Sequence, residues 1–259
     1  MPNTMPSTCF DHLVSVIMPC YNAARFVESA IRSVLQQDYT EWELLVVDDC
    51  SKDDTAARVQ AMAKDEPRIR FFQLEHNAGA AAARNKALRE AKGRYIAFLD
   101  SDDLWLSEKL SRQLAFMKQH DYTFTYSDYQ LMDEEGTLTG KRMHMPRRLS
   151  YHGYLFNTAI GCLTVVIDRV KTGDFAMPDL RTSQDAATWL LLLKRIPYAY
   201  ALRECLATYR LVSTSNTASK KKAAKDVWRL YRYHEHLPLL QALFYFCGYA
   251  FHAVKKRLF

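Results

Sequence analysis

Four apolar runs of strand length recur at short intervals in the first hundred residues, each bounded by a segment of different character. Val14 to Met18 reads VSVIM, Glu43 to Val47 reads ELLVV, Ile69 to Leu74 reads IRFFQL, and Tyr95 to Leu99 reads YIAFL. Strands this continuously apolar are buried on both faces, which a sheet with one wet face does not provide. Between the first two, residues 24–36 place Phe26, Val27, Ala30, Ile31, Val34 and Leu35 on one helical face. A second helix is predicted from a cap at Asp53 to about Ala63. A third is predicted from Ala80 to Ala91, rich in alanine and closed by Lys92-Gly93. Strands and helices in alternation predict an α/β fold, with a mostly parallel central sheet covered by helices on both faces.

The second half is less regular. Residues 122–132 read as a strand that turns at DEEG (133–136), and the basic, proline-interrupted residues 141–148 read as a mobile loop. Cys162 to Ile167 is predicted as a buried strand, Ser183 to Lys194 as a helix, and residues 198–211 as one or two strands. Helices are predicted over 221–236 and 238–257. With no internal repeat and no low-complexity linker, the organisation expected is a flexible segment 1–11, an α/β domain over 12–215, and a helical appendage over 216–259.

Charge divides along the same line. Residues 1–186 carry 22 basic and 26 acidic side chains, whereas residues 187–259 carry 13 basic and 3 acidic. Such a basic end predicts an anionic partner, either nucleic acid or an acidic membrane surface. The six cysteines show neither paired nor metal-type spacing and read as small apolar residues of a reducing compartment. The segment MPNTMPSTCFDHL has neither a basic n-region nor an apolar core, so no secretory leader is expected. No run of eighteen uninterrupted apolar residues predicts a spanning helix.

In an open α/β sheet, ligands bind beyond the carboxyl ends of the strands. Four such ends carry suggestive chemistry. In PCYN (19–22), Tyr21 offers an aromatic face for a base. In DDCSKDD (48–54), a carboxylate can accept the imide hydrogen of uracil. In HNAGAAAARN (76–85), a glycine precedes a helix whose first amides can approach phosphate, with Arg84 one turn in. In LDSDD, Asp100, Asp102 and Asp103 crowd three carboxylates into four residues, which repel unless a cation, hydrogen bonds or water relieves them. Each end also has a structural alternative: Tyr21 packing, Asp48 and Asp49 capping a turn, the alanines permitting close helix approach, the acids suiting a helix N-terminus. Together they form a constellation suited to a nucleoside diphosphate and its cation.

Five ordered segments carry a resemblance to a known family: VSVIMPCYN (14–22), ELLVVDDCSKDDT (43–55), NAGAAAARNKAL (77–88), GRYIAFLDSDDLW (93–105) and SQDAATWLLL (183–192). Over roughly residues 12–210 the chain resembles the family 2 glycosyltransferases, inverting enzymes of the GT-A fold. The resemblance identifies LDSDD with the family's DxD element. It implies that Asp102 binds Mn²⁺ or Mg²⁺, that Asp100 contacts ribose or assists the metal, and that Asp103 orders the turn. It further implies that Tyr21 and Asp49 contact the base, that Pro19 and Asp48 line the same pocket, and that Arg84 lies near the diphosphate or sugar. Asp185 is implied as the catalytic base. The family's Glu-Asp pair is here Gln184-Asp185, with Trp189 at the matching place in the following helix. Asp185 alone, without the family context, reads equally as a helix N-cap.

The segment 237–259 is strongly apolar and ends on Lys255, Lys256 and Arg257, while Lys220, Lys221, Lys222 and Lys225 precede WRLYRYHEH. Aromatics interleaved with cations describe an in-plane membrane anchor, or else a core helix or a dimer contact. No nucleic-acid-binding module is present, so nucleic acid is not expected as a partner. Many members of the family build polysaccharide on a polyprenyl-diphosphate carrier. The resemblance therefore implies transfer of one sugar from a nucleotide donor, a UDP-sugar, to a lipid-linked glycan in cell-surface polysaccharide synthesis. The protein is expected in the cytoplasm, peripherally bound to the inner face of an anionic membrane. Two other classes compete: a nucleotide-sugar-binding protein without turnover, and a membrane-surface scaffold.

Overall fold

The computed structural model describes residues 10–212 and 220–258. Its first half alternates regularly: β1 (Phe10–Cys20), α1 (Val27–Leu35), β2 (Trp42–Asp48), α2 (Thr55–Asp65), β3 (Ile69–Gln73), α3 (Ala80–Glu90) and β4 (Gly93–Phe98). There follow β5 (Leu104–Trp105), α4 (Lys109–His120), β6 (Phe124–Met132), β7 (Leu138–Met143), β8 (Arg148–Leu149) and α5 (Tyr151–Phe156). The chain continues through β9 (Val166–Asp168), α6 (Arg169–Thr172), α7 (Gln184–Leu193) and β10 (Ala199–Arg210), and ends in α8 (Lys220–Arg229) and α9 (Leu239–Leu258). Of the expected flexible segment, residues 1–9 lie outside the described residues, while Phe10 and Asp11 already belong to β1.

The strands form one sheet in the order β3-β2-β1-β4-β9-β6-β10-β5, with β7 added on β6 and β8 on β10. The first four are mutually parallel, and β6 and β10 are parallel to each other. β9 runs antiparallel to both β4 and β6, joining two parallel halves. Every residue of β2 is buried, as are the last seven residues of β1, in keeping with their mostly apolar sequence; among the polar exceptions, Ser15 and Glu43 bond each other at 2.7 Å. The centre of the sheet is covered by Trp189 of α7, whose ring lies edge-on to Phe98 at 5.6 Å and to Phe124 at 5.2 Å.

Two expectations from the second half need correction. Residues 141–148 are only partly loop: β7 pairs antiparallel with β6, and its polar, exposed sequence LTGKRM hides the strand from any reading based on apolar alternation. Residues 162–164 are a 3₁₀ turn before the short β9, with Thr164 returning its amide and hydroxyl to Gly161 O at 3.0 and 2.7 Å.

The C-terminal helices pack on the domain. Leu230 and Tyr231, in a π-helical turn after α8, are buried, and Tyr231 donates its hydroxyl to Leu155 O in α5. Glu235 pairs with Lys194 at the end of α7 at 2.7 Å and accepts the Tyr151 hydroxyl. α9 crosses α5 closely at Gly248, where an added Cβ would lie 1.9 Å from the Phe156 ring. Leu240, Leu243, Phe244 and Phe251 of α9 stay exposed along one helical stripe, whose Phe244 also packs edge-on to Phe156 at 4.9 Å. Among the described residues, no helix is long and apolar enough to cross a membrane.

α4 begins with a buried lysine. Lys109 Nζ donates to Gln113 Oε1 at 2.6 Å and Thr164 O at 3.1 Å, and lies 5.1 Å from the centre of the Trp105 ring. Burial pushes its pKa down to about 7, from an ordinary 10.5. Between these values the unfolded chain holds a proton that the folded chain has released, so folding stability rises with pH. Thermal melts from pH 7 to 10 are expected to show that rise in the wild-type protein relative to Lys109→Met, in which this increment is absent. Parallel pH profiles for the two proteins would contradict it.

Candidate active site

The carboxyl ends of β1, β2 and β4 converge, and the sequence-predicted residues sit on the loops that leave them. Pro19 is buried near the end of β1, while Tyr21, two residues on, is 48% exposed. Its loop is tied to the loop after β2. Asn22 Oδ1 accepts Lys52 N at 2.8 Å, Asn22 N donates to Ser51 Oγ at 2.9 Å, and Ala24 N donates to Asp53 Oδ2 at 3.0 Å. Asn22 and Cys50 adopt left-handed φ angles of 47° and 62°, so both loops turn sharply where they meet. Asp53 also accepts Thr55 N at 3.0 Å, but the N-cap position of α2 belongs to Asp54, one residue after the cap expected.

The two acids after β2 have different partners. Asp48 is fully buried and accepts Ser51 N at 3.0 Å, Gln73 Nε2 at 2.9 Å and the Ser51 hydroxyl. Asp49 accepts Ala78 N at 2.7 Å through one oxygen and Gly79 N at 2.8 Å through the other. It therefore fixes the glycine turn that opens α3, where Gly79 has a φ of 92° that other residues rarely adopt.

α3 then places Arg84 beneath the acids that follow β4. The Arg84 guanidinium is 7% exposed and pairs with Asp100 Oδ1; its Nε is buried with no hydrogen-bond partner. Burial alone would lower its pKa, but Asp100, Cys162 and Asp185 raise it. Asp185 is the second residue of α7 and accepts Ala186 N at 2.8 Å. The cap position belongs to Ser183, so Asp185 is not the N-cap that its sequence context allowed. Burial raises the Asp185 pKa, Arg84 opposes the rise, and Asp100 adds to it. Two carboxylate-bearing segments, the turn after β4 and the start of α7, thus meet around one buried cation.

The turn at 100–103 sorts its acids by direction. Asp103 points inward: its Oδ1 accepts Arg210 N at 2.8 Å, and its Oδ2 is buried with no hydrogen-bond partner. Burial, then Asp102 and Asp100, push its pKa well up. Asp102 is half-buried, and burial together with Asp100 pushes its pKa up to about 6. Among the described residues there is no group of three or more His, Cys, Asp or Glu side chains placed to hold an ion. The donor set nevertheless fits a divalent ion shared with a diphosphate, because Mg²⁺-like ions commonly take one or two carboxylates and complete their shell from phosphate and water. The repulsion that raises Asp102 is what such a cation relieves.

Three residues of this site had no signal in the sequence. Arg210, at the end of β10, donates Nε to Asp102 O at 2.8 Å across 108 residues of chain. Cys162 is buried among the charges of Arg84, Asp100, Asp185 and Asp103. Asn85 pairs twice with the Met177 backbone, at 2.8 and 2.7 Å, tying α3 to the segment that leads into α7. Arg210 and Cys162 lie in no recognisable motif, and Asn85, within NAGAAAARNKAL, has no role assigned to it there; only the tertiary fold brings the three here.

The chain is similar to known proteins along most of its length. The family model described as Glycosyl transferase family 2 matches residues 15–177. TuaG of Bacillus subtilis (strain 168), provisionally named a teichuronic acid biosynthesis glycosyltransferase, is 51% identical over 246 residues, covering 95% of this chain and 98% of that protein. WfgD of Escherichia coli, named a UDP-Glc:alpha-D-GlcNAc-diphosphoundecaprenol beta-1,3-glucosyltransferase, is 38% identical over 250 residues, 96% of each chain. Among solved structures, S. aureus TarS 1-349 in complex with UDP superposes with a TM-score of 0.66 at 22% identity, over 84% of this chain and 63% of that one. The mannosyltransferase PcManGT from Pyrobaculum calidifontis, in complex with GDP-Man and Mn²⁺, superposes with a TM-score of 0.69 at 18% identity, over 95% and 73%. The two structures establish the fold, that of the GT-A glycosyltransferases. With the family model over most of the chain and a relative of 51% identity along nearly all of it, the protein belongs to glycosyl transferase family 2.

Proposed function

We propose that this protein transfers a single sugar, with inversion, from a UDP-sugar to a hydroxyl of a glycan carried on polyprenyl diphosphate, in the synthesis of a cell-surface polysaccharide. The observation that carries the reading is the meeting of Asp100, Asp102 and Asp185 around buried Arg84 at the carboxyl edge of the sheet. The donor and acceptor named for WfgD, and the UDP bound to TarS, support the substrate class.

In this reading the half-exposed Tyr21 ring stacks on the base, and Asp49, through the turn it fixes, presents the base and diphosphate to α3. Pro19 and Asp48 shape the pocket from below, Asp48 through its bonds to Ser51 and Gln73. Asp100 faces the ribose with its charge held by Arg84, which serves the donor from underneath. Asp102 would hold Mn²⁺ or Mg²⁺; when bound, the ion stabilises the negative charge that grows on the departing diphosphate. Asp185 takes the acceptor's proton as the hydroxyl oxygen attacks the anomeric carbon and the bond to the diphosphate breaks. The burial that raises its pKa makes it a better base than an exposed carboxylate. Attack on the face opposite the leaving group turns an α-linked donor into a β-linked product.

Residues 12–215 carry this chemistry, and 216–259 form the membrane contact. The exposed apolar stripe of α9, together with the basic sequence of α8, suits the interface of an anionic bilayer on the cytoplasmic side. Leu240→Asp combined with Phe251→Asp, both at strongly exposed positions, is expected to weaken binding to anionic vesicles about tenfold or more while leaving the melting temperature unchanged. Sedimentation with vesicles at the wild-type level would contradict the contact. The donor assignment is tested by incubating the protein with a panel of nucleotide sugars and Mn²⁺. One UDP-sugar is expected to raise the melting temperature and to be slowly hydrolysed; a response confined to non-UDP donors, or none at all, would contradict it.

A further inference from the structure

The turn that carries Asp102 follows β4 in sequence but is held from β10. β5 pairs antiparallel with β10, Ala207 opposite Trp105 and Thr208 opposite Leu104. Two residues beyond that ladder, Arg210 donates twice to the turn. Arg210 N donates to Asp103 Oδ1 at 2.8 Å, and Arg210 Nε donates to Asp102 O at 2.8 Å. The same guanidinium donates through Nη1 to Glu134 O at 3.0 Å and Asp133 O at 3.5 Å, at the tip of the β6–β7 hairpin. It also lies 4.8 Å from the centre of the Phe26 ring, just before α1. Arg25 grips the hairpin tip from the other side, through Glu134 at 2.6 Å and Glu135 at 3.4 Å.

A buried guanidinium normally demands an anion. Arg210 is 5% exposed, yet at the turn it hydrogen-bonds the carbonyl of Asp102 and not that residue's carboxylate, which feels its charge only from a distance. A cation bonded to the carboxylate itself would compete with a metal ion. One bonded to the carbonyl holds the backbone from which the carboxylate projects without occupying its oxygens. We infer that Arg210 is a positioning residue for the metal: it holds the Asp102 carboxylate in the direction in which a divalent ion is bound. The inference rests on the assignment of Asp102 as metal ligand.

The test measures Mn²⁺ affinity in the presence of UDP, from the free-ion electron paramagnetic resonance signal, for the full chain and for Arg210→Gln, Arg210→Lys and Asp102→Ala. UDP binding in EDTA and melting temperature are recorded in parallel. Arg210→Gln is expected to weaken Mn²⁺ binding by about tenfold or more, as loss of groups that orient a metal ligand commonly does. Arg210→Lys, which keeps the charge and one donor, is expected to weaken it less, but by more than about twofold. UDP binding in EDTA should match wild type in both, which a general loss of structure would not allow. If Arg210→Gln fails to fold, Arg210→Lys decides by the same twofold limit. Loss of Mn²⁺ binding in Asp102→Ala, with Arg210 variants inside that limit, overturns the role of Arg210 alone. Wild-type Mn²⁺ binding in Asp102→Ala overturns the metal assignment on which it rests.

Discussion

Asp185→Asn is expected to reduce sugar transfer by about a hundredfold or more, the usual contribution of a positioned general base. An amide cannot take the acceptor's proton, and it fits the same space. Its oxygen can still accept Ala186 N, so the first turn of α7 keeps its local bond. The neutral side chain also removes a charge that burial and Asp100 disfavour, so the variant should melt no lower than wild type. UDP and Mn²⁺ affinity should stay near wild type, because Asp185 serves the acceptor side. A variant within about threefold of wild-type kcat would exclude Asp185 as the base.

Asp102→Ala should remove the dependence on divalent ion and lower transfer by roughly a hundred- to a thousandfold, in line with the loss of electrostatic stabilisation at a leaving group. The unliganded protein should gain stability from the same change. The Asp102 pKa lies near 6 in the folded chain, above the ordinary 3.8, so this group favours folding most when protonated. Its contribution is fully present below about pH 4 and is lost as pH rises through 6. At pH 7 the alanine variant is therefore expected to melt higher than wild type without metal, and to show no further rise on adding Mn²⁺ with UDP. A full Mn²⁺ response in turnover would refute the assignment.

How much of this was legible in the sequence depends on where each constraint lies. The strands VSVIM, ELLVV and YIAFL need burial on both faces, a property of each segment alone, and β1, β2 and β4 sit where those runs predict. Helix α3 was readable from its alanines and from Gly79, whose left-handed φ no other residue meets cheaply. The polar strand β7 was not, because its pairing with β6 imposes no apolar period on a strand that is exposed at every residue before Met143. The reversal of β9 was equally hidden: direction within a sheet is a matter of connection, and VVI reads the same either way.

The site divides similarly. Tyr21, Asp49, Asp102 and Asp185 stand in local motifs whose spacing carries meaning. What surrounds them does not. Asp48 looks like a pocket acid, yet its oxygens are taken up by Ser51 and Gln73. Arg84 looks like a phosphate contact, yet its guanidinium is buried against Asp100. Arg210 and Cys162 reach the cluster from distant strands and turns, and a pattern within one sequence holds no trace of pairings so far apart along the chain. The C-terminal stripe was visible as apolar sequence, but only Gly248 against Phe156 reveals which face of α9 is already covered.

The central claim is inverting transfer from a UDP-sugar to a lipid-linked glycan, and the product's linkage tests it most directly. Purified protein would be incubated with Mn²⁺, the UDP-sugar that stabilises it, and a panel of short glycans on polyprenyl diphosphate, and the product's anomeric configuration would be read by nuclear magnetic resonance. One acceptor is expected to gain a single β-linked sugar with stoichiometric release of UDP, and Asp185→Asn should yield none. An α-linked product from the α-linked donor, or undiminished transfer by Asp185→Asn, would contradict it.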